Sequence, residues 1–415
     1  MKTSFPKDKI RVLLLENIHD IGASHLENEG FCVDRIAGSP APEELDALLH
    51  NAHILGIRSK THLTDELLGK APRLLAVGCF CIGTDQVDLG AAQMRGVPVF
   101  NSPFGNTRSV AELTIAEIVM LSRRTFEKST AMHRGLWEKS ASGAHEVRNR
   151  TVGIVGYGHI GSQVSVLAEA MGMRVIYVDI EPKLPLGNAA QVDSLATLLT
   201  QADFVTLHVP STEQTKNMIG EAQLALMKPT AALLNNARGH VVDLPAVRNA
   251  IESGKLSGGA FDVFPAEPRK KGEPFENELQ GLANVILTPH VGGSTIEAQE
   301  TIAQDVAGKL SRFINVGSTT GAVNVPNVEL PMQVGSAAAA APRPHRVLHF
   351  HANVPGVLGK INSELAAHNV NVHGQYLRTD AHIGYVVFDV DPSASEAAIE
   401  SLATIDETIR TRVLW

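Results

Sequence analysis

Residues 151–179, TVGIVGYGHIGSQVSVLAEAMGMRVIYVD, constrain this 415-residue chain more than any other stretch. A short β-branched run opens it, Gly156, Gly158 and Gly161 follow at G-x-G-x-x-G spacing, Ile160 to Met171 has helical apolar periodicity, and Val175 to Val178 ends on Asp179. Gly156 permits a tight turn, Gly158 lets a pyrophosphate approach the backbone, and Gly161 lets helix and strand pack closely. Unpaired N–H groups at the helix N-terminus would face the phosphates. Asp179 stands about 20 residues on, where a carboxylate accepts from adenosine ribose hydroxyls and repels a 2′-phosphate, so the pattern predicts NAD rather than NADP.

A hydrophobic content of 44% over this length predicts two to three domains. The net charge of −8 argues against a nucleic-acid or anionic membrane surface, and the basic run Arg269 to Lys271 reads as a solvated loop. No apolar run approaches the ~18 to 20 residues of a membrane span, and the N-terminus MKTSFPKDKIRVLLLE lacks a signal h-region, so a cytoplasmic location is expected. Cys32, Cys79 and Cys81 lie in or beside apolar runs without zinc-site spacing. They are expected to be buried, reduced thiols, and no metal site is expected.

Along the chain, short apolar runs alternate with helical patterns from Ile10 to Phe100, which implies parallel strands with right-handed crossovers. Ligands bind at the carboxyl ends of such strands, where Arg58-Ser59-Lys60, Cys79 to Gly83 and Asn101 to Asn106 fall. Two cations beside one strand end suit a doubly anionic small molecule. Ser109 to Ser122 predicts a connecting helix with a Ser cap and Glu112 at capping-box spacing. Later strands are expected at Phe204 to His208, Ala231 to Asn235, Gly259 to Val263 and Val285 to Leu287, with a returning helix over Thr295 to Phe313. Pro331 to Pro344 is Ala/Pro/Gly-rich and reads as a linker. The remaining residues show β-α-β-β-α-β order, with helices at Gly356 to His368 and Ser393 to Ala403. A sheet so small and open favours pairing with a copy of itself. The expected fold class is α/β: two Rossmann-like or flavodoxin-like parallel-sheet lobes with a hinge cleft, plus a C-terminal ferredoxin-like α+β domain. The expected bounds are 1–106 with 296–330, 107–295, linker 331–344, and 345–415.

Three polar residues follow apolar runs in the second lobe: Arg238 in LLNNARG, Glu267 in DVFPAEP and His290 in TPHVGGS. Together they supply what reversible hydride transfer needs. Histidine has a pKa near neutrality and serves as base for a hydroxyl proton. A carboxylate on its other ring nitrogen fixes the tautomer and favours the imidazolium. Arginine holds a substrate carboxylate beside the reacting carbon.

The set GIRSKTHLT, VGCFCIGTDQVDL, FGNTRSVAE, GYGHIG, ARGHVVD, DVFPAEP and TPHVGGST resembles the D-isomer-specific 2-hydroxyacid dehydrogenase family, in its short bacterial branch with a C-terminal ACT domain. The resemblance covers essentially the whole chain. It implies NAD-dependent oxidation of 3-phospho-D-glycerate to 3-phosphohydroxypyruvate, the first step of L-serine biosynthesis, in a homotetramer. It implies acid/base work for His290, with Glu267 as its partner and Arg238 as carboxylate holder. Cofactor contacts are implied for Gly156, Gly158, His159, Ile160, Gly161, Asp179, His208, Val209, Pro210, Ala237, Asp262, Gly292 and Gly293, with Asp262 facing the nicotinamide amide. Substrate contacts are implied for Arg58, Ser59, Lys60, Asn106 and Lys139, and Trp137 matches a position that packs between subunits. His351, Asn353 and Asn371 match positions that bind L-serine as feedback inhibitor. The chain departs from the family at Lys60, often arginine, at Asn236, usually a small residue, and in its Ala-rich linker. Two other readings stay open: a dehydrogenase for another D-2-hydroxy acid, such as one reducing 2-oxoglutarate to 2-hydroxyglutarate, and a non-catalytic NAD- or amino-acid-sensing binder.

Overall fold

The structure is a computed structural model that describes residues 5–268, 272–331, 344–391 and 400–414. The basic run 269–271 and nearly all of the expected linker lie outside the described residues. The chain forms two compact units, Met1–Gly105 with Gln299–Trp415, and Asn106–Ala298.

In the first unit, β1 (Arg11–Leu14), β2 (Cys32–Arg35), β3 (Ile54–Ile57), β4 (Ala76–Cys79) and β5 (Val99–Phe100) pair in the order β2-β1-β3-β4-β5. Every pairing is parallel, in the flavodoxin-like order. β3 and β4 are buried along their whole length because helices cover both sheet faces, so neither shows polar alternation. At Gly56 in β3 a Cβ would stand 2.5 Å from the Leu14 side chain and 2.9 Å from the Phe80 ring, so both would have to shift to admit one. Thr64 and Asp88 cap the helices Asp65–Gly69 and Leu89–Met94 through their side chains, as the sequence pattern requires. The returning helix, Ile296–Val316, buries Ile302, Val306, Leu310 and Phe313 on one stripe against this sheet.

The C-terminal segment belongs to the same unit. β13 (His345–Ala352), β14 (Val372–Thr379), β15 (Ile383–Val390) and β16 (Thr408–Val413) form an antiparallel sheet in the order β14-β15-β13-β16, the ferredoxin-like arrangement. One face takes the helix Val357–Ala367 through Val357, Ile361 and Leu365. The other face packs against the first lobe. Leu348, Phe350, Tyr385 and Val387 join the core of the first lobe beside Phe313 and Ile314. Arg346, fully buried, pairs with Asp389 at 2.7 and 2.8 Å and donates to the carbonyls of Val316, Leu330 and Pro331. Such a cation is tolerated in a core because every direction of its fork finds an acceptor. Of the expected second helix, 393–403, only residues 400–403 are described, and these are helical.

In the second unit, β6 (Thr151–Val155), β7 (Arg174–Val178), β8 (Ala190–Gln191), β9 (Phe204–Leu207), β10 (Ala232–Asn235), β11 (Gly258–Phe261) and β12 (Val285–Leu287) pair as β12-β11-β10-β9-β6-β7-β8, all parallel. The order reverses between β6 and β9, the switch point at which Rossmann sheets bind dinucleotides. β8 was not evident from pattern, being two exposed residues long. The connecting helix starts at Thr107 with Asn106 as cap residue, not Ser109, which lies inside it and shares a hydrogen bond with Thr295 Oγ1 at 2.7 Å. Glu112 pairs with Arg108 one turn away instead of closing a capping box. Cys79 is buried, but Cys32 is exposed because β2 is an edge strand, and Cys81 is intermediate. No described helix is long and apolar enough to cross a membrane.

Candidate active site

Gly156 adopts φ +91°, and a Cβ there would stand 2.6 Å from the backbone oxygen of His208. Gly161 would meet the Gly156 oxygen at 2.2 Å, so helix His159–Ala170 packs on the turn only without a side chain there. Gly158 faces open space and is the N-cap of that helix, with no side chain to satisfy its first N–H groups. His159 and Ile160 open the helix. A helix N-terminus with no Cβ in the way fits a pyrophosphate. Asp179, at the end of β7, holds the glycine turn from below: Oδ2 accepts from Tyr157 N at 2.7 Å and Oδ1 from Glu181 N at 3.0 Å. His208, Val209 and Pro210 follow β9 on the far side of the turn, and the Val209 side chain also lies against Gly156. Burial pushes the His208 imidazole down to about 3, so it is neutral. These residues suit NAD, whose nicotinamide accepts a hydride when bound.

Arg238, Glu267 and His290 follow β10, β11 and β12. Glu267 Oε2 lies 2.8 Å from His290 Nδ1. The Glu267 hydrogen bond raises the His290 pKa above the ordinary value, against a smaller opposing effect of burial. Burial pushes Glu267 up, but the bonds from His290 and Phe264 N–H and the charges of His290 and Arg238 bring it below its ordinary value. Arg238 is thus close enough to act electrostatically on both partners; its Nη1 also donates to the oxygen of Ala237, a buried residue.

The His290 backbone is left-handed, at φ +55°. Asp262, 1% exposed at the end of β11, enforces this shape. Its Oδ1 accepts from Thr288 Oγ1 and Val291 N, its Oδ2 from Gly292 N, and its carbonyl from His290 N. The carboxylate that the resemblance directs at the nicotinamide therefore spends its described hydrogen bonds on the histidine loop. Gly293 makes room for Asn106, whose Nδ2 would stand 2.5 Å from a Cβ at that glycine.

Arg58, Ser59 and Lys60 follow β3 in the first unit, with Arg58 half-buried and the other two exposed. Lys139 and Trp137 are exposed in the coil after helix Thr125–His133. In the C-terminal sheet His351 is buried, its ring filling the space a Cβ at Gly384 would need, with Nδ1 3.3 Å from His349 Nδ1. Asn353 donates to the Asp380 carbonyl at 2.5 Å, and Asn371 is exposed before β14. The polar strand end read from the sequence is thus open at the two asparagines and closed at His351.

Three buried polar residues escaped the sequence reading. Glu16 and Gln86 bond the backbone of the Arg58–Thr61 loop. Glu117, fully buried in helix Thr107–Arg123, accepts from Asn236 Nδ2 at 2.7 Å, and Asn236 Nδ2 also meets Thr114 Oγ1. Burial pushes the Glu117 carboxyl up to about 8, aided by the charge of Asp262 and opposed by the Asn236 bond. Helical spacing signals this one: Val110, Thr114, Glu117 and Leu121 share the buried stripe. Glu16 and Gln86 carry no such signal, since their partners lie far off in sequence.

Comparison with known proteins agrees with the fold. Residues 115–292 match the NAD-binding domain of D-isomer specific 2-hydroxyacid dehydrogenases, and residues 347–410 match the AHAS small subunit-like ACT domain. The chain is an NAD-dependent oxidoreductase of the 2-hydroxyacid dehydrogenase class. It is 50% identical over 413 residues to D-3-phosphoglycerate dehydrogenase of Dictyostelium discoideum, covering 100% of this chain and 99% of that one. The enzyme of the same name from Escherichia coli K12 is 48% identical over 417 residues, covering all of both chains. Among solved structures, the D-lactate dehydrogenase of Aquifex aeolicus, complexed with NAD and lactic acid, superposes with a TM-score of 0.67 at 28% identity, over 76% of this chain and 100% of that one. The chain belongs to the D-3-phosphoglycerate dehydrogenase family.

Proposed function

We propose that the chain oxidises 3-phospho-D-glycerate to 3-phosphohydroxypyruvate with NAD, and so opens L-serine biosynthesis. The observation that carries this reading is the 2.8 Å contact between Glu267 and His290, within electrostatic reach of Arg238. With Nδ1–H committed to Glu267, Nε2 of His290 is the atom that takes the hydroxyl proton, and Glu267 offsets the imidazolium charge. Arg238 holds the substrate carboxylate through its fork, and Arg58 with Lys60 supplies cations for the phosphate. Hydride acceptance is the chemistry that NAD brings when bound. The relatives' shared name and the ACT match support the substrate and an amino-acid effector. L-Serine at the open positions Asn353 and Asn371, and a homotetramer, complete the reading.

The test follows NADH absorbance with phosphohydroxypyruvate, with and without L-serine. NADH oxidation suppressed by serine is the expected result. Activity that ignores serine would keep the enzyme and reject the effector assignment. Turnover of 2-oxoglutarate alone would move the assignment to a 2-hydroxyglutarate dehydrogenase, and no turnover of either would favour a binder. Sedimentation at micromolar concentration checks the tetramer.

A further inference from the structure

The loop after β3 is held from beneath by a carboxylate, an unexpected neighbour for an element that carries two cations for an anion. Glu16 is 7% exposed. Its Oε2 accepts from Lys60 N at 3.0 Å and its Oε1 from Thr61 N at 2.8 Å. On the other side of the loop Gln86, 8% exposed, donates from Nε2 to the Arg58 carbonyl at 2.6 Å, and the same nitrogen lies 3.5 Å from Gly83 O and 3.3 Å from Cys81 Sγ. Ser39 Oγ and Thr61 Oγ1, 2.9 Å apart, complete the clamp.

Consecutive backbone N–H groups are what phosphate loops ordinarily offer an anion. Here two of them are already satisfied inside the protein. A buried negative charge so close also repels an incoming anion, so its presence needs a geometric reason. The chain reaches that geometry at a cost in backbone conformation: Glu16 and Asn17 both sit in the left-handed region, at φ +61° and +52°, where non-glycine residues are uncommon. Strain of this kind persists where surrounding structure enforces it, often at ligand sites.

We propose that Glu16 and Gln86 are positioning residues that lock the Arg58–Thr61 backbone and withhold the amides of Lys60 and Thr61 from the ligand, so that the phosphate is read by the Arg58 and Lys60 side chains. The inference rests on the reading that this loop receives the substrate's phosphate. It makes recognition depend on the guanidinium fork and the ammonium, whose placement is fixed by the two buried ties.

The test is steady-state reduction of phosphohydroxypyruvate by full-length E16Q, E16D, Q86L and R58A, with NADH affinity and Tm measured on each. E16Q sets an amide N–H against a backbone N–H; E16D keeps the charge but withdraws the oxygens by one methylene. Each Glu16 variant should raise KM about 10-fold while kcat stays within about threefold, and NADH affinity should not change. A purely structural role would lower Tm and kcat together without that split, and would overturn the proposal. Should a Glu16 variant fail to fold, Q86L, which cuts the opposite tie, carries the same expectation. Unchanged KM in folded E16Q and Q86L alongside a raised KM in R58A would overturn the positioning role alone. Unchanged KM in R58A would overturn the loop's substrate role, and this inference with it.

Discussion

Glu267 Oε2 and His290 Nδ1 stand 2.8 Å apart, and the carboxylate raises the affinity of the imidazole for a proton. On the proposed mechanism, oxidation needs the neutral ring and reduction needs the imidazolium. The oxidative kcat/KM should therefore rise as pH climbs through the raised His290 pKa, while the reductive rate falls over the same window. E267Q removes the largest cause of the shift, so its acid limb should move to lower pH, with kcat reduced about 10²-fold or more. A pH–rate profile whose limb stays in place would separate Glu267 from the chemistry.

Asp262 closes the loop that carries His290 by accepting from Thr288, Val291 and Gly292. D262A leaves these donors facing a cavity, at a cost of about 1–3 kcal/mol for each one that stays buried. The left-handed His290 then keeps only its N–H bonds to the Asp262 and Thr288 carbonyls, without the side-chain ties on either side of it. Calorimetry should show a Tm several degrees lower, and kcat should fall with little change in substrate KM. A variant with unchanged Tm would refute the clamp.

The glycine turn separates two effects that are usually confounded. G156A forces a side chain against the His208 backbone in a residue at φ +91°, so both stability and NADH affinity should drop. G158A meets no protein atom within 4 Å, so its Tm should hold while NADH affinity weakens at least about 10-fold. Paired thermal scans and NADH fluorescence titrations decide. Intact NADH binding in G158A would mean the pyrophosphate lies elsewhere.

Much of this was legible in the chain because period and punctuation are local. Thr151 to Val155 and Val175 to Val178 read as short apolar runs, and Arg238, Glu267 and His290 could be picked out because each follows an apolar run. What escaped depends on partners distant in sequence. The connecting helix starts directly after Asn106 rather than at Ser109, although Ser109 fits the local capping motif better. The covered face of the C-terminal sheet required Arg346 and Tyr385 to find carbonyls at Val316 and Gly317. Glu16 meets Lys60 across more than forty residues, which no spacing rule reports.

Glu117 offers the last prediction, and its sign can be worked out. Its Oε1 and the Oδ1 of Asn236 are both buried without a partner, while Asn236 Nδ2 bonds the other carboxylate oxygen at 2.7 Å. A proton on Oε1 donated to Oδ1 would satisfy both atoms at once and close an acid–amide pair. The folded protein therefore binds a proton up to about pH 8 that the unfolded chain releases near pH 4.3. Between these values the folded state holds more protons than the unfolded one. This contribution to stability is complete at low pH and declines by up to about 1.4 kcal/mol per pH unit until the folded pKa is passed. E117Q keeps the shape and replaces the acid with an amide that donates to the same Oδ1. Its Tm advantage over the parent chain should widen from pH 5 to 8 and level off above. Asp262 is the charged side chain that acts on this carboxyl, so D262N should lower the pH at which the levelling begins. A Tm difference that is flat with pH would mean that Glu117 is ionised in the folded state.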